Sequence, residues 1–308
     1  MLPSVQLCTR WAFALPALLL TAACGSDPSP SDVGAPDAGP SDATTPDSGP
    51  ADAGFPPLPD AGPIPEDAIT AVSLNLRCLI DDWDLRRPVI ARELAALAPQ
   101  LIGFQEACEG DGRDNVEELR TDLEAAGPLR YTVQRRPTHR AWDRYDEGIA
   151  VLSALPVEET RQVALPSGAF PRALLLVRVT TSTGAMVFGT THFDHMDAMV
   201  RMRQAEAVAD ALADFAPTGP VVLTGDFNTG PNGPVSPVLG AAGYTDGWAA
   251  LFPNDPGPTF PARSPAERID YFWLRGRQPN AVLRILVDPV AGTFGSDHLG
   301  LFGVFTRP

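Results

Sequence analysis

The chain has no lysine: its 23 basic residues are all arginine. Without a lysine amine there is no Schiff base, no pyridoxal phosphate attachment and no Walker-type phosphate loop. Positive charge is short overall, the net charge being −15 with 38 acidic residues. Seven of the aspartates fall in residues 25–65, so residues 66–308 keep 22 arginines against 31 acids, a net of −9. A domain of that balance exerts no global pull on nucleic acid or an anionic membrane, although a local cationic groove stays open. Residues 25–65 also have few large apolar side chains, being almost wholly Pro, Asp, Ala, Gly, Ser and Thr. Such a stretch cannot bury enough surface to offset the entropy of ordering, which makes it a linker. No internal repeat is visible.

What precedes the linker reads as an export signal. Arg10 supplies a short positive region, Trp11 to Leu20 is apolar but too short to span a bilayer, and Thr21, Ala22 and Ala23 lead to Cys24. Leu20-Thr21-Ala22-Ala23-Cys24 followed by Gly25 resembles the bacterial lipoprotein cleavage signal, Thr21 standing where an aliphatic residue is usual. That resemblance implies a signal peptide over 1–23, a lipid on Cys24 as the membrane contact, and a solvated tether over 24–65. An ordinary cleaved signal with an incidental cysteine is the alternative. Of the four cysteines, Cys8 leaves with the signal, so Cys78 and Cys108 remain for the folded domain, residues 66–308. An even pair in an oxidising compartment suggests a disulfide, with two buried thiols as the other possibility.

Ile69 to Arg77 alternates apolar with smaller or polar residues, as a half-buried strand does. Arg87 to Leu97 has helical spacing, and a second strand follows from Leu101 to Gln105. Strands are expected at 131–134, 149–153, 174–180, 186–190, 221–224, 271–274, 282–286 and 301–306, and helices at 115–126 and 198–215. Many strands with interspersed helices predict two packed sheets flanked by helices.

The chemistry-bearing residues fall where strands end. Asn75 closes the first strand, Glu106 the second and His192 another; Asp226 and Asn228 follow Val221 to Gly225 directly. Asp270 sits in Arg268-Ile269-Asp270-Tyr271, and Asp297 with His298 in Gly295-Ser296-Asp297-His298. Singly, each is an ordinary turn residue or a solvated side chain. Together, Ile102-Gly103-Phe104-Gln105-Glu106, Gly148 to Ser153, Thr191-His192-Phe193-Asp194-His195, Gly225-Asp226-Phe227-Asn228, Arg-Ile-Asp-Tyr and Ser-Asp-His resemble the endonuclease/exonuclease/phosphatase (deoxyribonuclease I-like) superfamily. Gly-Asp-Phe-Asn alone would arise by chance in roughly one chain of this length in five hundred, and the motifs stand in the family's order over residues 69–305.

The resemblance implies an α/β/β/α sandwich and a Mg²⁺-dependent phosphoric ester hydrolase, with Mn²⁺ or Ca²⁺ as other cations, acting by in-line attack of water. Glu106 is its expected Mg²⁺ ligand, with Asn75, Asp226 and Asp297, an oxygen set suited to Mg²⁺ or Mn²⁺ rather than zinc. His298 is a proton-transfer residue oriented by Asp270, and either it or Asp226 takes the proton from water. His192 donates to a phosphoryl oxygen or the leaving group with Glu147 orienting it, and Asn228 contacts the phosphate and steadies Asp226. His195 and Asp194 are either supporting or solvated. If Asn75 and Glu106 share a metal site, Cys78 and Cys108 lie close together and their bond braces two ligand-bearing strands.

Arg135, Arg136, His139, Arg140 and Arg144, interleaved with Trp142, form the one dense basic segment, just before Glu147. It either grips a nucleic-acid backbone or compact polyphosphate beside the site, or is a solvated arginine-rich loop. The expectation is a monomeric, exported, membrane-tethered phosphodiesterase or phosphatase; a secreted nuclease on DNA or RNA is the alternative, and a silent binding module on the same fold a third.

Overall fold

A computed structural model describes residues 64–308. The segments expected as signal peptide (1–23) and tether, with Cys24, lie outside the described residues up to residue 63.

The first sheet is built from β1 (Ile69–Asn75), β2 (Leu101–Gly110), β3 (Arg113–Asp114), β4 (Thr132–Ala141), β5 (Tyr145–Ser153), β12 (Gln278–Ile285) and β13 (Gly300–Thr306), in the order β12-β13-β1-β2-β5-β4 with β3 on β2. The second holds β6 (Val157–Ala164), β7 (Ala173–Thr181), β8 (Gly184–His192), β9 (Val221–Asp226), β10 (Thr245–Asp246) and β11 (Asp270–Arg275), in the order β10-β11-β9-β8-β7-β6. Each sheet is mixed, with one parallel pair at its centre: β1 with β2, and β8 with β9. Helix α1 (Trp83–Leu97) makes the crossover in the first sheet and α3 (Ala198–Phe215) in the second, as parallel neighbours require.

Apolar alternation explains the layers. Ala71, Leu101, Val151, Leu175, Val177 and Phe188 face inward and form the core between the sheets. On the outer faces, Val72, Leu74, Ile102 and Phe104 meet α1 and α2 (Asn115–Ala126), while Leu174, Leu176 and Leu223 meet α3 and α4 (Val235–Ala241). A short helix α5 (Gly247–Leu251) adds Trp248 to the inner core. The result is the α/β sandwich expected from the sequence. Helices α2 and α3 start where an aspartate accepts from two backbone N–H groups, Asp114 from Val116 and Glu117, Asp197 from Met199 and Val200.

The sequence did not mark β6, whose Val-Glu-Glu-Thr-Arg-Gln-Val-Ala pattern is mostly exposed. It is an edge strand, where charge guards against further pairing and masks the apolar signal. Strand β2 runs on through Glu106 to Gly110 rather than ending there, with Glu106 as the unpaired residue of a bulge between Gln105 and Ala107.

The sheets approach closely at Gly103, where a Cβ would stand 2.3 Å from Thr224 Oγ1. Next to it, Gln105 donates across the interface to Thr190 Oγ1 at 2.9 Å. Cys78 and Cys108 are joined by a disulfide with their Cα atoms 5.0 Å apart, tying the segment after β1 to β2. Replacing both by alanine should lower stability by roughly 3–4 kcal/mol, the chain-entropy value for a loop of about 30 residues. An unchanged urea midpoint for the double variant would show that the cross-link adds nothing.

Candidate active site

The carboxyl ends of the two parallel pairs open on one rim, and the antiparallel strands β11 and β13 begin there. Asn75 ends β1, Glu106 bulges from β2, His192 ends β8 and Asp226 ends β9. The second sheet's register makes a rung of three: His192 pairs with Asp226 across the parallel ladder and Asp270 with Asp226 across the antiparallel one. Asp297 and His298 arrive just before β13, which starts at Gly300. Glu106, His192, Asp226, Asn228, Asp297 and His298 all line a cleft of about 580 Å³.

Asp226 is the centre of this group. Its Oδ2 lies 3.2 Å from Asn75 Nδ2, 3.4 Å from His192 Nε2 and 3.7 Å from His298 Nε2, while Oδ1 accepts from the Asn228 N–H at 2.9 Å. Asn75 also donates to Glu106 Oε1 at 3.0 Å. His298 Nδ1 lies 3.0 Å from Asp270 Oδ2, so the ring is held between two carboxylates. Burial disfavours charge on His298, yet Asp270 and Asp226 outweigh it and raise the imidazole to about 10. Burial pushes Asp226 up to about 7, with the Asp270 and Glu106 charges adding to the rise and His298 opposing it. Glu106 is also raised by burial. His192 is driven well below the usual imidazole range by burial and the Arg172 charge.

The model of the Endonuclease/Exonuclease/phosphatase family matches residues 72–298. The chain belongs to the endonuclease/exonuclease/phosphatase family. No curated protein sequence matches it. Among solved structures, a humanised TDP2 of D. rerio is similar at 18% identity and TM-score 0.64, over 78% of this chain and all of the other. The mannosyl-6-phosphatase of Bacteroides thetaiotaomicron VPI-5482 is similar at 21% identity and TM-score 0.63, over 77% and 99%. The sulfate-bound catalytic domain of human nocturnin is similar at 17% and 0.65, over 79% and 94%. At these identities the likeness shows the fold. Members of the family are generally phosphoester hydrolases, and its enzymes use divalent metals.

The donor set here fits such a cation. Glu106, Asp226, Asp270 and Asp297 bring carboxylate oxygens to one rim, and Asp270 Oδ1 is buried with no hydrogen-bond partner. Oxygen donors of this kind suit a hard cation. Ligand atoms of Asp226, Asp270 and His298 lie within 4.8 Å of one another, but Asp270 and His298 already engage each other. Glu106 and Asp297, expected as cation ligands, lie outside that group but line the same cleft. Asn75, expected as an oxygen ligand, uses its oxygen to accept from the Arg77 N–H at 2.9 Å. Its amide therefore presents N–H to Glu106 and Asp226 and steadies them. Asp297 Oδ2 accepts from Arg77, which also bridges to Asp81.

Glu147 does not touch His192 in the way the family resemblance implies. Arg172 intervenes, with Nη1 3.0 Å from His192 Nδ1 and 3.7 Å from Glu147 Oε1. Burial and the Glu106 charge push Glu147 to about 7, against Arg172. Arg172 is the residue that sequence reasoning missed, because an arginine after Pro171 at the start of a strand has no distinguishing neighbours. Asn228 holds its loop by donating to the Phe193 carbonyl at 3.1 Å. Asp194 is buried and structural: it accepts from the N–H groups of Ala169, Met196 and Asp197. Burial works against its charge, but those bonds pull it below the usual carboxylate range. His195 is exposed and stacks on Phe170, which also stacks on His139, with centroids 5.7 and 4.6 Å apart.

The basic segment forms the β4–β5 hairpin. His139, Arg140 and Trp142 line the cleft, while Arg135, Arg140 and Arg144 are paired with Asp114, Asp146 and Asp111. Those pairs neutralise most of the charge that a nucleic-acid track would need.

Buried Arg86, on α1, holds the loop after β1. It donates to the carbonyls of Leu76, Arg77, Cys78, Ile80 and Asp81, and to that of Gly295 beside Asp297. Arg86→Leu would strip buried carbonyls of their partners and should cost at least about 3 kcal/mol. Equilibrium urea unfolding measures this, and a loss under about 1 kcal/mol would mean water replaces the guanidinium freely.

Proposed function

We propose that the chain is a Mg²⁺-dependent phosphodiesterase or phosphatase, exported and tethered to a bacterial envelope membrane by lipid on Cys24. The observation that carries the catalytic part is the convergence of Asn75, His192 and His298 nitrogens on Asp226 Oδ2, within reach of further carboxylates. Glu106 and Asp297 would hold the cation. A bound divalent cation supplies charge neutralisation to the phosphoryl oxygens. His298 already carries a proton between Asp270 and Asp226, so Asp226, at about 7, is the group ready to take one from water near neutrality. His192 offers a hydrogen bond to an anionic oxygen, and Asn228 holds the Asp226 loop. The paired arginines of the β4–β5 hairpin favour a compact ester over a long nucleic-acid strand.

A screen of the purified protein with Mg²⁺ or Mn²⁺ against bis-p-nitrophenyl phosphate, p-nitrophenyl phosphate, sugar and inositol phosphates, sphingomyelin, plasmid DNA and RNA tests this reading. Absence of turnover on every substrate would sink it in favour of a binding module, and efficient plasmid nicking would favour a nuclease.

Glu106→Gln should weaken cation binding, with excess Mg²⁺ restoring part of the activity. Asp226→Asn should lose about 10²- to 10⁴-fold in kcat that no excess of metal restores. Since a base must be deprotonated to act, wild-type kcat/KM should rise as pH passes through about 7. Wild-type metal dependence in Glu106→Gln would remove the assigned role. The tether has its own test: Cys24→Ser should move the protein from the membrane to the soluble fraction, and an unchanged membrane fraction would argue against lipidation.

A further inference from the structure

The two buried histidines of the cleft have opposite partners at Nδ1. His298 faces a carboxylate, Asp270 at 3.0 Å. His192 faces a guanidinium, Arg172 Nη1 at 3.0 Å. A guanidinium has only donors, so nothing but a lone pair on Nδ1 can meet it. The proton of the His192 ring must then sit on Nε2, and the other end of the ring agrees: Nε2 lies 3.4 Å from Asp226 Oδ2, an acceptor. A ring protonated on Nδ1 would set donor against donor at one end and lone pair against carboxylate at the other.

We propose that Arg172 is the positioning residue that fixes His192 as its Nε2–H tautomer, making that histidine a standing hydrogen-bond donor toward the cleft. Arg172 is itself held in place. Its residue is 7% exposed, its carbonyl accepts from the Leu165 N–H at 2.9 Å, and Glu147 Oε1 is 3.7 Å from Nη1. The preceding turn is anchored where Asp194 accepts from the Ala169 N–H at 2.7 Å. There the backbone comes so near that a Cβ on Gly168 would be 2.1 Å from Asp194 Oδ2. Only a donor can be presented from Nε2, so the ligand atom meeting His192 is an acceptor such as a phosphoryl oxygen. That consequence rests on the phosphoesterase reading; the tautomer does not.

The chain has four histidines, so long-range ¹H–¹⁵N spectra of the full-length, ¹⁵N-labelled protein can resolve and assign each ring. The expected result is a protonated Nε2 and an unprotonated Nδ1 for His192 in the wild type and in Arg172→Lys, which keeps a donor. In Arg172→Met the two tautomers should mix, and kcat on bis-p-nitrophenyl phosphate should fall at least about tenfold, one hydrogen bond's worth, while KM changes less. A wild-type spectrum with the proton on Nδ1, or an Arg172→Met spectrum identical to wild type at His192, would overturn the proposal. The wild-type spectrum decides even if Arg172→Met does not fold, and it is read whether or not any phosphate ester is turned over.

Discussion

One carboxylate oxygen, Asp226 Oδ2, has nitrogens from both halves of the sandwich gathered around it. Asn75 comes from the first sheet and His192 from the second, while His298 stands on the segment leading back into the first. The convergence holds only if the rims of the two sheets meet. Gly103 permits that meeting by leaving room for Thr224, and Gln105 secures it by bonding Thr190 across the gap. Packing in the central core and geometry at the site are therefore one constraint, since a shift between the sheets would separate the donors from the acceptor they share.

Topology supplies the rest of the order. Each sheet has a single parallel pair joined by a helix, β1-α1-β2 and β8-α3-β9, and functional groups leave the far end of each parallel ladder: Asn75 and the bulged Glu106 in the first sheet, His192 and Asp226 in the second. Open crevices past the carboxyl ends of parallel strands are where ligands settle in α/β proteins. Because neighbouring antiparallel strands begin where parallel ones end, Asp270 and His298 reach the same rim from the opposite chain direction. This correspondence between the two halves was invisible as sequence repetition, since it resides in connectivity and not in residue identity.

Much of this was legible beforehand because an apolar run ending in Asn, Glu, His or Asp announces both the strand and its functional tip. Asn75, His192, Asp226 and Asp270 stand at strand ends or starts as the pattern required. What escaped was relational. Whether Asn75 turns its oxygen or its nitrogen to the carboxylates depends on the Arg77 N–H, a contact set by a left-handed turn. Arg172 gains meaning only beside His192, 20 positions away. The polar edge strand β6 hid because exposure erased its alternation.

Glu106 holds a backbone φ of +49° at its bulge, a region that disfavours side chains bearing a Cβ. Glycine would sit there without strain, and asparagine with less of it. The most comfortable residue for the chain is thus one that has no carboxylate to offer, so selection for thermal robustness and selection for activity pull this single position in opposite directions. A library sorted for stability alone should drift toward glycine at 106 and quietly lose the site.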